Sequence, residues 1–229
     1  MQIYFESIGI GLVAKIISVL NSKGGCGKTS TAVHTAGALA SKGFQVHLID
    51  TDDTQGASLW SSKGDGFNFG VTPVTMGRKS VRDFKTEILD AVDGADYVFI
   101  DTPPQLDEVS RVVVLFSDMA LIPLSPSELD FWGAEAAIAY VKDAQDVRDG
   151  KPNVACVPSR VSDTILSRAI FDALSAHDVL ISESIRNRIA VAEAVSAGQT
   201  LAQYAPNSPS AKEFEKLAEL VLSHTGAIQ

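Results

Sequence analysis

Ser22-Lys-Gly-Gly-Cys-Gly-Lys-Thr-Ser30 is the stretch on which the reading of this chain turns. It follows the apolar, β-branched run Ile16–Leu20 and precedes a segment of helical periodicity from Thr31 to Leu39. A glycine-rich turn between a strand and a helix N-terminus is a nest of backbone N–H groups aimed at phosphate oxygens. In such a turn Lys28 supplies a cation for β- and γ-phosphates, and the Thr29 hydroxyl can ligate Mg²⁺. Gly24, Gly25, Cys26, Gly27 and Ser30 complete the cradle. The strict phosphate-loop pattern places glycine at position 22, where this chain has serine, and a second lysine, Lys23, follows. Cys26 lies near a helix N-terminus, where a thiol pKa can fall; its other role is simply a small residue at the variable loop position.

Outward from the loop, apolar runs and helical periods alternate. Strands are expected at Ile16–Leu20, Gln45–Asp50, Phe69–Thr75, Tyr97–Asp101, Ala120–Leu124, Asn153–Val157 and His177–Ile181. Helices are expected at Lys28–Ser41, Val81–Val92, Val109–Phe116, Glu128–Val147, Ser162–Ala176, Ile189–Ala197 and Pro209–Ser223. The strands are apolar on both faces, which predicts an α/β fold: a mostly parallel twisted sheet with helices on each side. Such sheets bind ligands beyond the carboxyl ends of their strands, the edge where the phosphate loop, Asp50 and Asp101 would meet.

Two strands end in acids. Val46-His-Leu-Ile-Asp-Thr-Asp52 carries Asp50 and Asp52, two apart and so on one side of an extended segment. Tyr97-Val-Phe-Ile-Asp101 ends at Asp101. A carboxylate after four apolar residues is costly to bury without a cation, and Mg²⁺ beside a triphosphate would supply one.

The 229 residues suit one α/β domain with a buried core, and 45% hydrophobic with 21% charged residues gives no sign of disorder. We expect residues 14–229 to form that domain. Residues 1–13 are apolar but lack a basic leader and a cleavage site, so they read as an upstream start, a cloning remnant or a flexible extension. No transmembrane segment is expected. Cys26 and Cys156 are too few for a disulfide framework, which fits an intracellular location.

Lys23-Gly-Gly-Cys-Gly-Lys-Thr29 resembles the deviant Walker A box of the ParA/MinD family of P-loop ATPases, and the resemblance spans residues 15–223. In that family the first lysine, here Lys23, reaches across a dimer interface to phosphates held by the other subunit. The resemblance implies ATP and Mg²⁺ as cofactors, with Thr29, Asp50 and Asp101 serving the metal and Asp52 positioning the attacking water. The family pattern Asp-x-Asp-Pro-Gln-Gly is altered here to Asp50-Thr-Asp-Asp-Thr-Gln-Gly56. Either Gln55 follows an inserted residue, or Asp53 and Thr54 replace Pro and Gln, and Asp53 competes for the catalytic role. Trp60 then follows, as in the small ParF-type subgroup. Ala120–Asp130 is similar to the strand and turn that touch the partner subunit in relatives; a plain strand exit, ended by Pro123 and Pro126, is the rival reading.

Ser159 stands where relatives carry an asparagine that contacts adenine, and Tyr204-Ala-Pro206 is similar to the segment packing over the base. The family's outputs include coating DNA without sequence preference while an adaptor (ParB-like) stimulates hydrolysis, to move plasmids, chromosomes or protein cargos. This implies a cytoplasmic, nucleoid-associated homodimer. Arg186 and Arg188 resemble the basic stretch that contacts DNA in relatives, with Arg160 and Arg168 joining it. A solvated basic edge is the other reading, since the net charge is −9. A MinD-like membrane role would need a basic amphipathic tail, which Phe214–Gln229 does not provide. A metabolic P-loop enzyme activating a small acid is the remaining alternative, and Lys23 argues against it.

Overall fold

The computed structural model describes residues 14–162 and 164–226. The expected extension at residues 1–13 lies outside them. Strands β1 (Lys15–Val19), β2 (Val46–Asp50), β3 (Gly70–Pro73), β4 (Tyr97–Asp101), β5 (Met119–Leu124), β6 (Asn153–Pro158) and β7 (Leu180–Ile181) form one sheet. Their order is β3-β2-β4-β1-β5-β6-β7, and every pair is parallel. The helices are α1 (Lys28–Ser41), α2 (Gly56–Ser61), α3 (Val81–Ala91), α4 (Glu108–Val114), α5 (Glu128–Asp146), α6 (Ile165–Leu174), α7 (Ile189–Ala197), α8 (Leu201–Tyr204) and α9 (Pro209–Thr225).

The strands run apolar because both faces are covered. Along β4, Tyr97 and Phe99 point into one core while Val98 and Ile100 point into another. The first core joins Ile17, Val19, Met119 and Leu121 to α1, α2 and α7–α9. On the opposite face α5 covers β5 and β6, and α3 and α4 cover β2 and β4. Helix α1 is buried nearly throughout because Ala32, Ala36 and Gly37 allow close approach on several sides. Gly37 touches α8 so closely that a Cβ there would stand 2.7 Å from Thr200.

Two expected strands are shorter than the apolar runs that announced them. Residues 177–179 instead form the turn closing α6, where His177 N donates to Leu174 O (3.0 Å) and Val179 N to His177 O (2.9 Å). Only Leu180 and Ile181 then reach the β6 ladder. Likewise Phe69 stops short of β3 and stacks on Phe67, ring centroids 5.1 Å apart. Helices α2 and α8 were not expected; at 6 and 4 residues they are too short to show a helical period.

A phosphate loop facing two strand-end carboxylates

The loop between β1 and α1 turns on glycines where no other residue fits easily. Gly25 and Gly27 have φ of 77° and 101°, in the left-handed region. Lys28 is folded inward and only 7% exposed. Its Nζ donates to the Lys23 carbonyl at 3.0 Å, bridging the loop where phosphate oxygens would lie. Lys23 differs: it is exposed, and its ammonium has no partner among the described residues. Its backbone is nonetheless fixed. Buried Asn21 accepts from Lys23 N through Oδ1 (2.9 Å) and donates from Nδ2 to Pro123 O (2.8 Å). The loop is thereby tied to the end of β5.

Gly133 on α5 completes this mount. A Cβ there would stand 2.7 Å from Asn21 Oδ1 and 2.9 Å from Ser22 Oγ. Neither Asn21 nor Gly133 stands out in sequence, because their value depends on a contact spanning more than a hundred residues. The asparagine immediately before Ser22 was the one available signal.

Asp50 and Asp101 are register partners on adjacent strands, both buried. Thr29 Oγ1 donates to Asp101 Oδ2 at 2.6 Å. The other oxygen, Asp101 Oδ1, is buried with no hydrogen-bond partner among the described residues. Burial pushes the Asp101 carboxyl up to about 7, against the lowering effect of the Thr29 hydrogen bond, with Asp50 adding to the rise. Burial also raises Asp50, although Ser58 donates to its Oδ2 from N (2.9 Å) and Oγ (3.0 Å). An orphaned buried acceptor beside a threonine hydroxyl fits Mg²⁺, which takes one or two protein oxygens and fills its octahedron with phosphate and water. Among the described residues no group of three or more His, Cys, Asp or Glu side chains could hold a metal alone, so phosphate oxygens would have to complete the shell.

Asp52 departs from the expected pleat. Strand β2 ends at Asp50, and Asp52 N folds back to Asp50 Oδ1 (3.3 Å). Its own Oδ1 accepts from Thr54 N and Thr54 Oγ1, both 2.8 Å, forming a capped turn. Gln55, with φ 51°, then caps α2, and Gly56 opens that helix beside Thr29. Asp53 is exposed. For Cys26 burial raises the thiol pKa rather than lowering it, and Sγ donates to Lys23 O at 3.2 Å. It acts as a packed small residue.

Next to the loop lies a cavity of about 460 Å³ that runs from Gly27, Ser30 and Thr31 past Ser159 to Val191, Val195 and Phe214. Ser159 is buried, and its hydroxyl donates to Val157 O (3.1 Å). Pro206 is exposed and stands apart from this wall. Arg160, Arg186 and Arg188 do line it. Arg188 is paired with Glu213 (Nη2 to Oε1, 2.9 Å) and Glu213 Oε2 also accepts from Arg186 N (3.0 Å). Arg168 lies on α6, and its side chain is outside the described residues.

Residues 17–201 match the family described as the CobQ/CobB/MinD/ParA nucleotide binding domain. The chain belongs to that family. Within it, this ParA/MinD-type chain is similar to the chromosome-partitioning ATPase Soj of Thermus thermophilus, 28% identical over 90% of this chain and 95% of Soj. It is also 39% identical to a maintenance of carboxysome distribution protein A of Gloeobacter kilaueensis, over 51% of each chain. Its fold matches apo McdA of Cyanothece with a TM-score of 0.75, 19% identity and coverage of 91% of this chain and all of the other. A putative plasmid partition protein of Borrelia burgdorferi bound to AMPPNP matches at a TM-score of 0.74 and 20% identity, over 92% and 99% of the two chains. No described helix is long and apolar enough to cross a membrane.

Proposed function

We propose that the protein is a Mg²⁺-dependent ATPase whose ATP-bound form dimerises, binds DNA without sequence preference and positions a plasmid, chromosome or protein cargo. An adaptor that stimulates hydrolysis would reset it. The observation that carries this reading is the division of labour between two lysines five residues apart. Lys28 is turned into its own loop, while Lys23 stands exposed on a backbone anchored by Asn21. A partnerless ammonium mounted rigidly beside a phosphate site is suited to charge on a second molecule, and the triphosphate of a second copy supplies it.

The residues then divide the work. The N–H groups of Gly24–Thr29 and the Lys28 ammonium hold the β- and γ-phosphates; Lys28 gives up the Lys23 carbonyl to do so. Thr29 and Asp101 would hold Mg²⁺, with Asp50 supporting the shell, and the cation would neutralise the phosphate charge that develops during transfer. Asp52, released from Thr54, orients the attacking water. Lys23 of each subunit stabilises charge on the other's phosphates, so loss of the γ-phosphate weakens the dimer. Nucleotide state thereby sets association.

Two relatives named for chromosome partition and carboxysome distribution support cargo positioning as the output. The test is Lys23→Ala. It should retain nucleotide binding, because Lys28 and the loop are intact, and lose ATP-dependent dimerisation in light scattering. An ATP-dependent dimer of unchanged mass would remove the role of Lys23 in the partner's site.

A further inference from the structure

Among the described residues, Gln55, Gln105, Asp149 and Arg160 hold a positive φ without being glycine. Gln55, Asp149 and Arg160 lie at 51–54°, inside the ordinary left-handed well. Gln105, at 85°, lies beyond it, in backbone that suits glycine far better than a residue with a Cβ. Such strain persists only where the surroundings over-determine it, and it gathers at functional sites. We propose that Gln105 is a catalytic residue of the hydrolysis, its carboxamide linking the attacking water to the γ-phosphate; this rests on the ATPase reading given above.

The surroundings do fix Gln105, and they fix it against the phosphate loop. It stands four residues beyond Asp101, after Thr102-Pro-Pro104. Thr102 Oγ1 donates to Val19 O at 2.9 Å, and Gln105 N donates to Ser22 O at 3.1 Å. Between these two ties a Cβ added at Gly24 would stand 3.8 Å from Pro104 Cβ. Gln105 O accepts from the buried Ser110 Oγ at 3.2 Å, and Leu106 packs against the core beneath α5. Both backbone groups of Gln105 are thus engaged. Its side chain is exposed, and the carboxamide has no hydrogen-bond partner among the described residues. A glycine would make every one of these backbone contacts without strain, so the use of the side chain lies outside the fold.

The reaction has a place for it. A carboxylate only accepts, so Asp52 can hold one hydrogen of the water and leaves the water free to swing about that bond. A carboxamide both accepts and donates. Gln105 Oε1 takes the second hydrogen while Nε2 donates to a γ-phosphate oxygen, which sets the water against phosphorus. The water oxygen then bonds to the γ-phosphorus as the bond to the β–γ bridging oxygen breaks, and ADP leaves with that electron pair. One water hydrogen stays on its oxygen and the other ends on a phosphate oxygen, giving dihydrogen phosphate. Gln105 neither gains nor loses a proton.

The experiment compares wild type with Gln105→Gly, Gln105→Ala and Gln105→Glu in ATP binding, light scattering, thermal melting and single-turnover hydrolysis. Gln105→Gly is decisive because it removes the carboxamide and the strain together. It should melt at or above the wild-type temperature. It should bind ATP and dimerise as wild type does, yet hydrolyse about 10²-fold more slowly. Gln105→Ala and Gln105→Glu should be similarly slow, the first lacking both hydrogen-bonding groups and the second lacking the donor. Wild-type hydrolysis in Gln105→Gly, or a rate lost only together with ATP affinity or dimer mass, overturns the assignment and leaves the ATPase reading standing. A Gln105→Gly protein that melts well below wild type would show the side chain serving the fold and would end the assignment too. A wild type that binds ATP but releases no phosphate would instead overturn the ATPase reading, and this inference with it.

Discussion

Asp101 shows how a single buried group reports on the state of the site. Its folded pKa of about 7 is well above the ordinary carboxylate value, because burial disfavours the charge. Between the ordinary value and 7 the folded state holds a proton that the unfolded state has lost. Stability therefore falls as pH rises through this window, by up to ~1.4 kcal/mol per pH unit from this one group. In the absence of nucleotide and Mg²⁺, the melting temperature should drop from pH 5 to pH 8. The Asp101→Asn variant, which cannot ionise, should show a flatter profile, and a cation paired with the carboxylate should flatten the wild-type profile too. Melting curves across pH check all three, and identical slopes in wild type and Asp101→Asn would detach the effect from this residue. Asp52 carries the second residue-level prediction. Because its carboxylate caps a turn rather than filling the core, Asp52→Ala should fold, bind ATP and lose turnover by about 10²-fold or more. Normal turnover would move attention to exposed Asp53.

At the level of elements, the strands and long helices were legible because their causes are local. Four buried residues before Asp101, or a glycine turn between an apolar run and a helical period, announce themselves over ten residues. Helices α2 and α8 were hidden because their formation depends on what they touch. Trp60 of α2 packs edge-on against His34 of α1 with ring centroids 5.0 Å apart, and Leu201 N of α8 donates to His34 Nδ1 at 3.1 Å. The same limit applied to the site. Lys28, Thr29, Asp50 and Asp101 could be placed together because strand ends converge in any parallel sheet, whereas Asn21 and Gly133 act through partners distant in sequence. Arginines 160, 186 and 188 read as one basic edge, yet they also line the cavity beside the loop. Gly37 gives this scale its prediction. Gly37→Ala would drive a methyl to 2.7–2.8 Å from Thr200, whose hydroxyl caps α8 in a reciprocal box with Gln203. Overpacking of this kind costs about 1–3 kcal/mol, to be seen as a lower urea midpoint with an unchanged slope. An unaltered midpoint would mean that α8 shifts freely and does not brace α1.

Across the whole molecule the decisive quantity is charge. A net charge of −9 opposes DNA at long range, so any affinity must come from a local patch. Beside the cavity next to the phosphate loop, Arg186, Lys212 and Lys216 border a second groove with Glu183 and Glu213. Lys216 is bound to Glu183 at 2.6 Å, and Glu213 engages the Arg188 side chain and the Arg186 backbone. These acids lower the net charge of the patch in a single copy. Pairing two copies doubles the patch without changing any side chain, and two weak phosphate-binding surfaces joined in one particle bind far more tightly than either alone. DNA retention should therefore appear with ATP and not with ADP. It should weaken steeply with salt, because each phosphate neutralised adds about 0.9 to the slope of log affinity against log salt. Lys212→Glu together with Lys216→Glu should reduce that slope and the affinity, while ATP-dependent dimer mass stays the same. Filter binding over a salt series, run beside light scattering, separates the outcomes. Equal DNA binding with ADP, or a slope untouched by the double charge reversal, would show that dimerisation does not build the DNA surface at this groove.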